Sequence, residues 1–172
     1  RAYYITDEKQ TKELKYTVEY YKDGVLDTTS TEIFTEEVQV LESENMIVDK
    51  NDINTEDKFD GYRLDEESTG EIPDTVNSGE VIKVYYVRKD ARVIIHYRDN
   101  TTKLNIIDDE TIEGKVFDPY SVKLKEIEGY TLVDKTDNIA GTMEENEIEV
   151  TLYYAKNVKV TVKYRKLEVI GL

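Results

Sequence analysis

Residues 92–98 read Arg-Val-Ile-Ile-His-Tyr-Arg, and the chain carries a version of this stretch three times. Residues 15–21 read Lys-Tyr-Thr-Val-Glu-Tyr-Tyr, and residues 159–165 read Lys-Val-Thr-Val-Lys-Tyr-Arg. Side chains alternate faces along a strand, so a true repeat must keep its phase as well as its letters. Aligning Tyr20, Tyr97 and Tyr164 keeps both. One face then carries Tyr16, Val18 and Tyr20, then Val93, Ile95 and Tyr97, then Val160, Val162 and Tyr164. The other face is polar apart from Ile94. The same strand therefore opens three units, and Val18, Ile95 and Val162 are predicted to occupy equivalent inward positions.

The strand recurs after 97 − 20 = 77 and 164 − 97 = 67 positions. Units of roughly 65–80 residues lie near the small end of self-sufficient domains. The predicted division is residues 1–13 as the end of a preceding repeat with a linker, 14–90 as a first β domain and 91–157 as a second. Residues 158–172 then start a further repeat or form a terminal strand. Residues 88–91 and 156–158 leave almost no slack between units, which predicts a stiff, extended rod.

Composition supports a mainly β chain with little helix. Fourteen tyrosines and no tryptophan sit among many β-branched residues, which suit pleated sheets. With 23 basic against 38 acidic residues the net charge is −15. That repels a phosphate backbone and an anionic bilayer, so nucleic acid and direct membrane insertion are not expected. The absence of cysteine excludes a disulfide framework, a thiolate metal site and a cysteine nucleophile. The chain contains no apolar run long enough to cross a bilayer and reads as a monomeric segment of a longer protein.

Within the first unit, Lys22-Asp23-Gly24 reads as a turn, with a return strand inside residues 29–40. A helical turn is admissible at residues 55–58, and residues 61–64 start a strand. Gly70-Glu71-Ile72-Pro73 reads as a turn or edge, and residues 80–87 as a closing strand with apolar groups on both faces, hence central. The second unit repeats the plan: a return strand within residues 104–113, punctuation at Gly114, a helical turn within 121–125, and a closing strand at 150–154. Gly61 to Tyr85 and Gly129 to Tyr153 both span 24 positions, 85 − 61 and 153 − 129. Gly141 answers Gly70 three positions late. Nine extra residues precede the first Gly-Tyr, somewhere in residues 27–60, because 61 − 20 = 41 but 129 − 97 = 32.

The second unit joins Val93-Ile94-Ile95-His96-Tyr97-Arg98-Asp99-Asn100 to Thr111-Ile112-Glu113-Gly114, Ile127-Glu128-Gly129-Tyr130-Thr131-Leu132, Gly141-Thr142-Met143 and Val150-Thr151-Leu152-Tyr153-Tyr154. Together, over residues 92–156, these resemble the mucin-binding (MucBP) repeat of large Gram-positive surface proteins; residues 15–89 look like a longer relative. The resemblance implies two tandem β-grasp (ubiquitin-like) domains and an extracellular, cell-wall-attached adhesin. It also implies a non-enzymatic role as stalk or spacer, with host mucin or another glycoprotein as partner. A dedicated lectin-like module is the alternative, and a carboxylate-based hydrolase a third.

The chemistry-bearing residues fit this reading. His96, the only histidine, sits on the polar strand face and reads as an exposed strand residue, without the partners a triad needs. Asp49, Asn51, Asp52, Asn54 and Glu56 cluster oxygen ligands as calcium loops do. The spacing misses an EF-hand, since Ile53 stands where a ligand is wanted and Asn54 where glycine is wanted. No cofactor is predicted. Tyr20, Tyr97 and Tyr164 are assigned to the core; Tyr21, Tyr62, Tyr120 and Tyr130 are the candidates for ligand contact. A lysine–asparagine isopeptide bond would need a buried carboxylate beside it.

Overall fold

The computed structural model describes residues 10–53 and 58–171. The first sheet is built on β1 (Thr11–Lys22). This strand pairs antiparallel with β2 (Val25–Leu26) and β3 (Glu32–Gln39). Beneath them, β4 (Asn45–Ile47) pairs with β6 (Thr75–Asn77) in a small sheet. After β5 (Tyr62–Leu64) and a single helical turn, α1 (Glu66–Thr69), β7 (Val81–Arg88) lies parallel to β1 and antiparallel to β5.

One residue later the plan starts again. β8 (Asp90–Asp99) pairs antiparallel with β9 (Glu110–Lys115). β10 (Pro119–Ser121) pairs with β12 (Ala140–Thr142) in a second small sheet. β11 (Tyr130–Lys135) lies antiparallel to β13 (Ile148–Lys156), which runs parallel to β8. The registers agree strand for strand. Val18 faces Ile82 as Ile95 faces Val150, and Leu64 faces Tyr86 as Leu132 faces Tyr154.

Each sheet closes its own core against its small sheet. Tyr16, Val18, Tyr20, Val84 and Tyr86 pack with Met46, Val48 and Val76. Val93, Ile95, Tyr97, Leu152 and Tyr154 pack with Tyr120, Val122 and Met143. Val18 and Ile95 are buried at 0% and 4% exposure, as the phase of the repeat demands. The third copy departs from it: residues 158–171 form no strand, Val162 is 64% exposed and Tyr164 93%. The first two copies are paired by segments that come later in the chain, β3 and β7 or β9 and β13, and residues 165–171 supply no such partner.

Other expectations are corrected by local geometry. Thr11, Lys12 and Glu13 belong to β1, paired to Gln39, Val38 and Glu37, and are not linker; the reading of residues 1–9 lies outside the described residues. The helical turn placed at residues 55–58 lies outside them too, apart from Lys58. The turn placed at 121–125 is absent; Ser121 ends β10. Among the described residues the helical turn lies at α1, where Asp65 caps Ser68 N–H and Gly70, at φ +66, ends it. Gly70 therefore has no counterpart in Gly141, which pairs with Tyr120 as Val76 pairs with Met46. Gly114 does not end β9 but lies within it, where a Cβ would meet the Met143 sulfur at 2.6 Å. β7 is central, yet only its Ile82, Val84 and Tyr86 face is buried; Val81 is 45% exposed.

The nine extra residues divide between two places. Phe34 to Met46 spans 46 − 34 = 12 positions where Ile112 to Tyr120 spans 120 − 112 = 8. Met46 to Tyr62 spans 62 − 46 = 16 where Tyr120 to Tyr130 spans 130 − 120 = 10. The hairpin is one residue shorter, 34 − 16 = 18 against 112 − 93 = 19. The extra length thus enters only the connections that flank β4 and leaves the sheet register intact.

The cores make a pH prediction. Burial raises the hydroxyls of Tyr16, Tyr97 and Tyr154 above their ordinary 10.0, and pushes Tyr86 up to about 12. Above pH 10 the unfolded chain releases these protons while the fold keeps them, so stability is whole below 10 and falls as pH rises through 10 to 12. Urea midpoints measured from pH 8 to 11 should drop on the alkaline side; a flat profile would contradict the buried tyrosine assignment.

Candidate functional site

The open face of the first sheet carries one tyrosine pair. Tyr21 of β1 stacks on Tyr85 of β7, ring centroids 4.9 Å apart, in register across the parallel pair. The Tyr21 hydroxyl donates to Glu19 at 2.7 Å, and this carboxylate holds Tyr21 un-ionised up to about pH 12. Lys83 Nζ stands 5.8 Å from the Tyr21 ring. On the second sheet Arg98 takes the place of Tyr21 opposite Tyr153, and Lys103 lies 4.4 Å over that ring.

His96 is half-buried on the same face and is held by Asp109, with Nδ1 2.8 Å from Oδ2, while Arg98 reaches Oδ1 at 3.0 Å. Burial works against ionising Asp109, but the bonds to Arg98 and His96 outweigh it and keep the carboxyl below its usual range. The side chains around His96 are Arg98, Asp109 and Glu149, the last 4.0 Å away, and no serine, threonine or cysteine is among them.

The other tyrosines sit elsewhere. Tyr120 is corrected from contact candidate to core residue: it is 8% exposed, its ring lies against Gly141, and its hydroxyl donates to the Asn138 carbonyl at 3.0 Å. Tyr130 lines a groove of about 730 Å³ with Leu124, Ile127 and Leu132. Tyr62 lies between Phe59 and Phe117, at the boundary of the two units.

Among the described residues no group of three His, Asp or Glu side chains is placed to hold a metal. Asp49 Oδ1 accepts from the Asn51 backbone and side-chain amides at 2.9 and 2.8 Å, an Asx turn; Asn54 and Glu56 lie outside the described residues. No polar or charged residue among those described is buried, so none of the described carboxylates sits in the buried setting an isopeptide bond would need. A cleft of about 380 Å³ does gather Asp90, Glu113, Glu145 and Glu147. Three of the four are ion-paired, to Lys115, Lys89 and Arg92. The Lys115 hydrogen bond holds Asp90 low, and the Lys89 hydrogen bond does the same for Glu145. A hydrolase needs one carboxyl kept protonated, whereas the bonds from Lys115 and Lys89 favour the ionised forms of Asp90 and Glu145.

A set of specific contacts joins the two units. Only Lys89 separates β7 from β8, and its amide donates to the Gly61 carbonyl while its carbonyl accepts from Val116. Arg88 bridges Asp23 of the first unit, at 2.9 Å, and Asp118 of the second, at 2.7 Å. Asp118 is held low first by the Lys115 backbone amide and then by Arg88. Glu145 accepts from the Gly61 amide at 2.6 Å and pairs with Lys89 at 2.9 Å.

Over Gly61 lies the ring of Phe117, whose atoms come within 2.6 Å of where a Cβ would stand. Gly61 has φ +79, so glycine is needed there for the backbone as well as for space. Phe117 itself has φ +74, an unfavourable conformation for a bulky side chain, held by the hydrogen bond its backbone N–H donates to the Met143 carbonyl. The sequence pattern places Gly61 at the start of a strand and marks neither it nor Phe117 as a contact. The available signal was Arg88, a cation in a link too short to be solvent-filled.

The MucBP domain family model matches residues 92–155, in agreement with the resemblance read over 92–156. Internalin J of Listeria monocytogenes is 34% identical over 118 residues, which cover 64% of this chain and 13% of that protein. Internalin I of the same species is 34% identical over 74 residues, 43% of this chain and 4% of that protein. The chain thus spans a small part of these relatives. Among solved structures, the type 2 repeat of the mucus binding protein MUB from Lactobacillus reuteri is 12% identical, covers 84% of this chain and 100% of its own, and has a TM-score of 0.29. Domains 3-4 of the Streptococcal High Identity Repeats in Tandem from a cell surface protein give 9% identity, 84% and 98% coverage, and a TM-score of 0.34.

The junction is tested by one glycine position met twice. Gly61 and Gly129 have φ +79 and +78, but only Gly61 has Phe117 over it. Gly61→Ala should therefore cost more stability than Gly129→Ala, by roughly 1–3 kcal/mol, the range for overpacking. Equal losses in urea unfolding would mean that the Phe117 contact carries no energy.

Proposed function

Taking residues 92–155 as a MucBP domain of the adhesin type, we propose that this chain is a load-bearing spacer in a bacterial surface protein. The reading extends to two β-grasp-like domains, residues 14–90 and 91–157, in an extended rod attached to a Gram-positive cell wall. The observation that carries it is the junction. A single intervening residue, two ion pairs through Arg88 and the Phe117–Gly61 contact leave the units little freedom to swing. The topology supports both parts of the reading. An antiparallel hairpin whose first strand pairs parallel with the last strand is the β-grasp arrangement, and it sends the chain in at one end of a unit and out at the other.

Small-angle scattering tests the rod. A single compact globule of this length would have a radius of gyration of roughly 16 Å. The spacer reading expects a clearly larger value with an elongated distance distribution, and a value near the globular one would end it.

For a host glycoprotein partner we assign the contact to Tyr21 and Tyr85, the stacked pair on the open sheet face, with Lys83 beside it. Aromatic faces suit the apolar faces of sugars, and a pre-stacked pair loses little freedom on binding. Binding to immobilised mucin should fall at least about fivefold in Tyr21→Ala, as for loss of a 1 kcal/mol contact. An isotherm unchanged by Tyr21→Ala and by Tyr85→Ala would remove the assignment.

A further inference from the structure

The groove at the far end of the second unit is the first unit's junction surface met again. Tyr130 pairs with Lys156 as Tyr62 pairs with Arg88, which puts Gly129 in the place of Gly61. The surrounding backbone bonds repeat. Tyr130 N–H donates to the Ile127 carbonyl at 3.1 Å and Asn157 N–H to the Gly129 carbonyl at 2.8 Å. Tyr62 donates likewise to Phe59 at 3.1 Å and Lys89 to Gly61 at 2.9 Å. Asn100 N–H reaches the Tyr154 carbonyl as Asp23 N–H reaches that of Tyr86.

What differs is the cover. Gly61 lies under Phe117, whereas the space over Gly129 is open to 4 Å and leads into the groove walled by Leu124, Ile127, Tyr130 and Leu132. Leu124 is 50% exposed there. We propose that this groove is the dock for a following unit of the same kind, the one whose first strand is written in residues 159–165. It receives that unit's large apolar residue at the place of Phe117 and a carboxylate at the place of Glu145, which accepts from the Gly129 amide.

Charge bookkeeping fits the same occupant. At the existing junction three carboxylates (Asp23, Asp118, Glu145) meet two cations (Arg88, Lys89). At the groove Asn100 replaces Asp23, Asn157 replaces Lys89 and Lys156 replaces Arg88, so two incoming carboxylates would meet one cation. Over those equivalent positions the excess is one negative charge in both places; Lys125, Glu126 and Glu128 also line the groove. A contact between unlike faces that repeats along one chain builds an open head-to-tail array.

The inference rests on the tandem-spacer reading, but its test is separate from scattering and mucin binding. In a lengthened protein, residues 1–157 are followed directly by a second copy of residues 90–157, and amide hydrogen exchange is read at Gly129. Exchange there should slow by about tenfold or more relative to the 172-residue chain, as an opening amide becomes part of an interface. Replacing the Phe117 of the added copy alone by Ala should restore the fast rate. Unchanged exchange behind a folded second copy overturns the proposal and leaves the spacer reading standing. Slowing that survives the Phe117→Ala change in the added copy also overturns it, since the cover would then come from elsewhere. A copy that stays unfolded behind Gly129 and Tyr130, although the same residues fold behind Gly61 and Tyr62, counts against the groove as its dock.

Discussion

The parallel pairing of the first and last strands of each unit is the constraint on which the rest depends. Val18 against Ile82 and Ile95 against Val150 bring together segments about 60 positions apart in the chain, and every core residue is arranged around those two contacts. A parallel pair has a directional consequence that an antiparallel one lacks. The last strand ends at the same end of the sheet as the first, so the chain leaves a unit opposite to where it entered. With only Lys89 before β8 begins, the next sheet must start at that exit.

Because the units meet there, the exit has to be a good surface as well as an end. It is built from a glycine with positive φ, an aromatic residue beside it and a cation on the last strand: Gly61, Tyr62 and Arg88. The second unit answers with Phe117, Asp118 and Glu145 from connections between strands, which are freer to vary than the strands themselves. The left-handed backbone of Phe117 is a local cost accepted at that contact, offset by the hydrogen bond from its N–H to the Met143 carbonyl and by cover over Gly61.

The cores show how small units manage with few residues. None of the described polar or charged residues is buried, so their charge stays in contact with water. Volume comes instead from tyrosines, whose hydroxyls reach the boundary. Tyr97 donates to Glu110 at 2.9 Å and Tyr154 to the Lys125 carbonyl at 2.6 Å. A ring buried this way adds apolar area without leaving a polar atom unpaired. Tyr120 follows the same pattern, which is why its sequence gives it no mark as a surface residue or a core one.

Much of this was legible in the letters. The phase of Tyr16-Val18-Tyr20 and Val93-Ile95-Tyr97 determined which face is buried, because a strand has a period of two and cannot slip by one without exposing its core. The repeat also determined the two-unit plan of sheets and the site of the added length, and the motifs over residues 92–156 marked the stretch that the MucBP domain family model matches. Tertiary structure alone decided which segments lie side by side across long separations. It set Gly141 opposite Tyr120, not in the role of Gly70. It put Phe117 over Gly61 and left residues 158–171 without strand despite their matching pattern. The physical reason is the same in each case: alternation encodes a face, but a strand exists only when another segment satisfies its backbone, and that partner is chosen by distance in space, which no local period records.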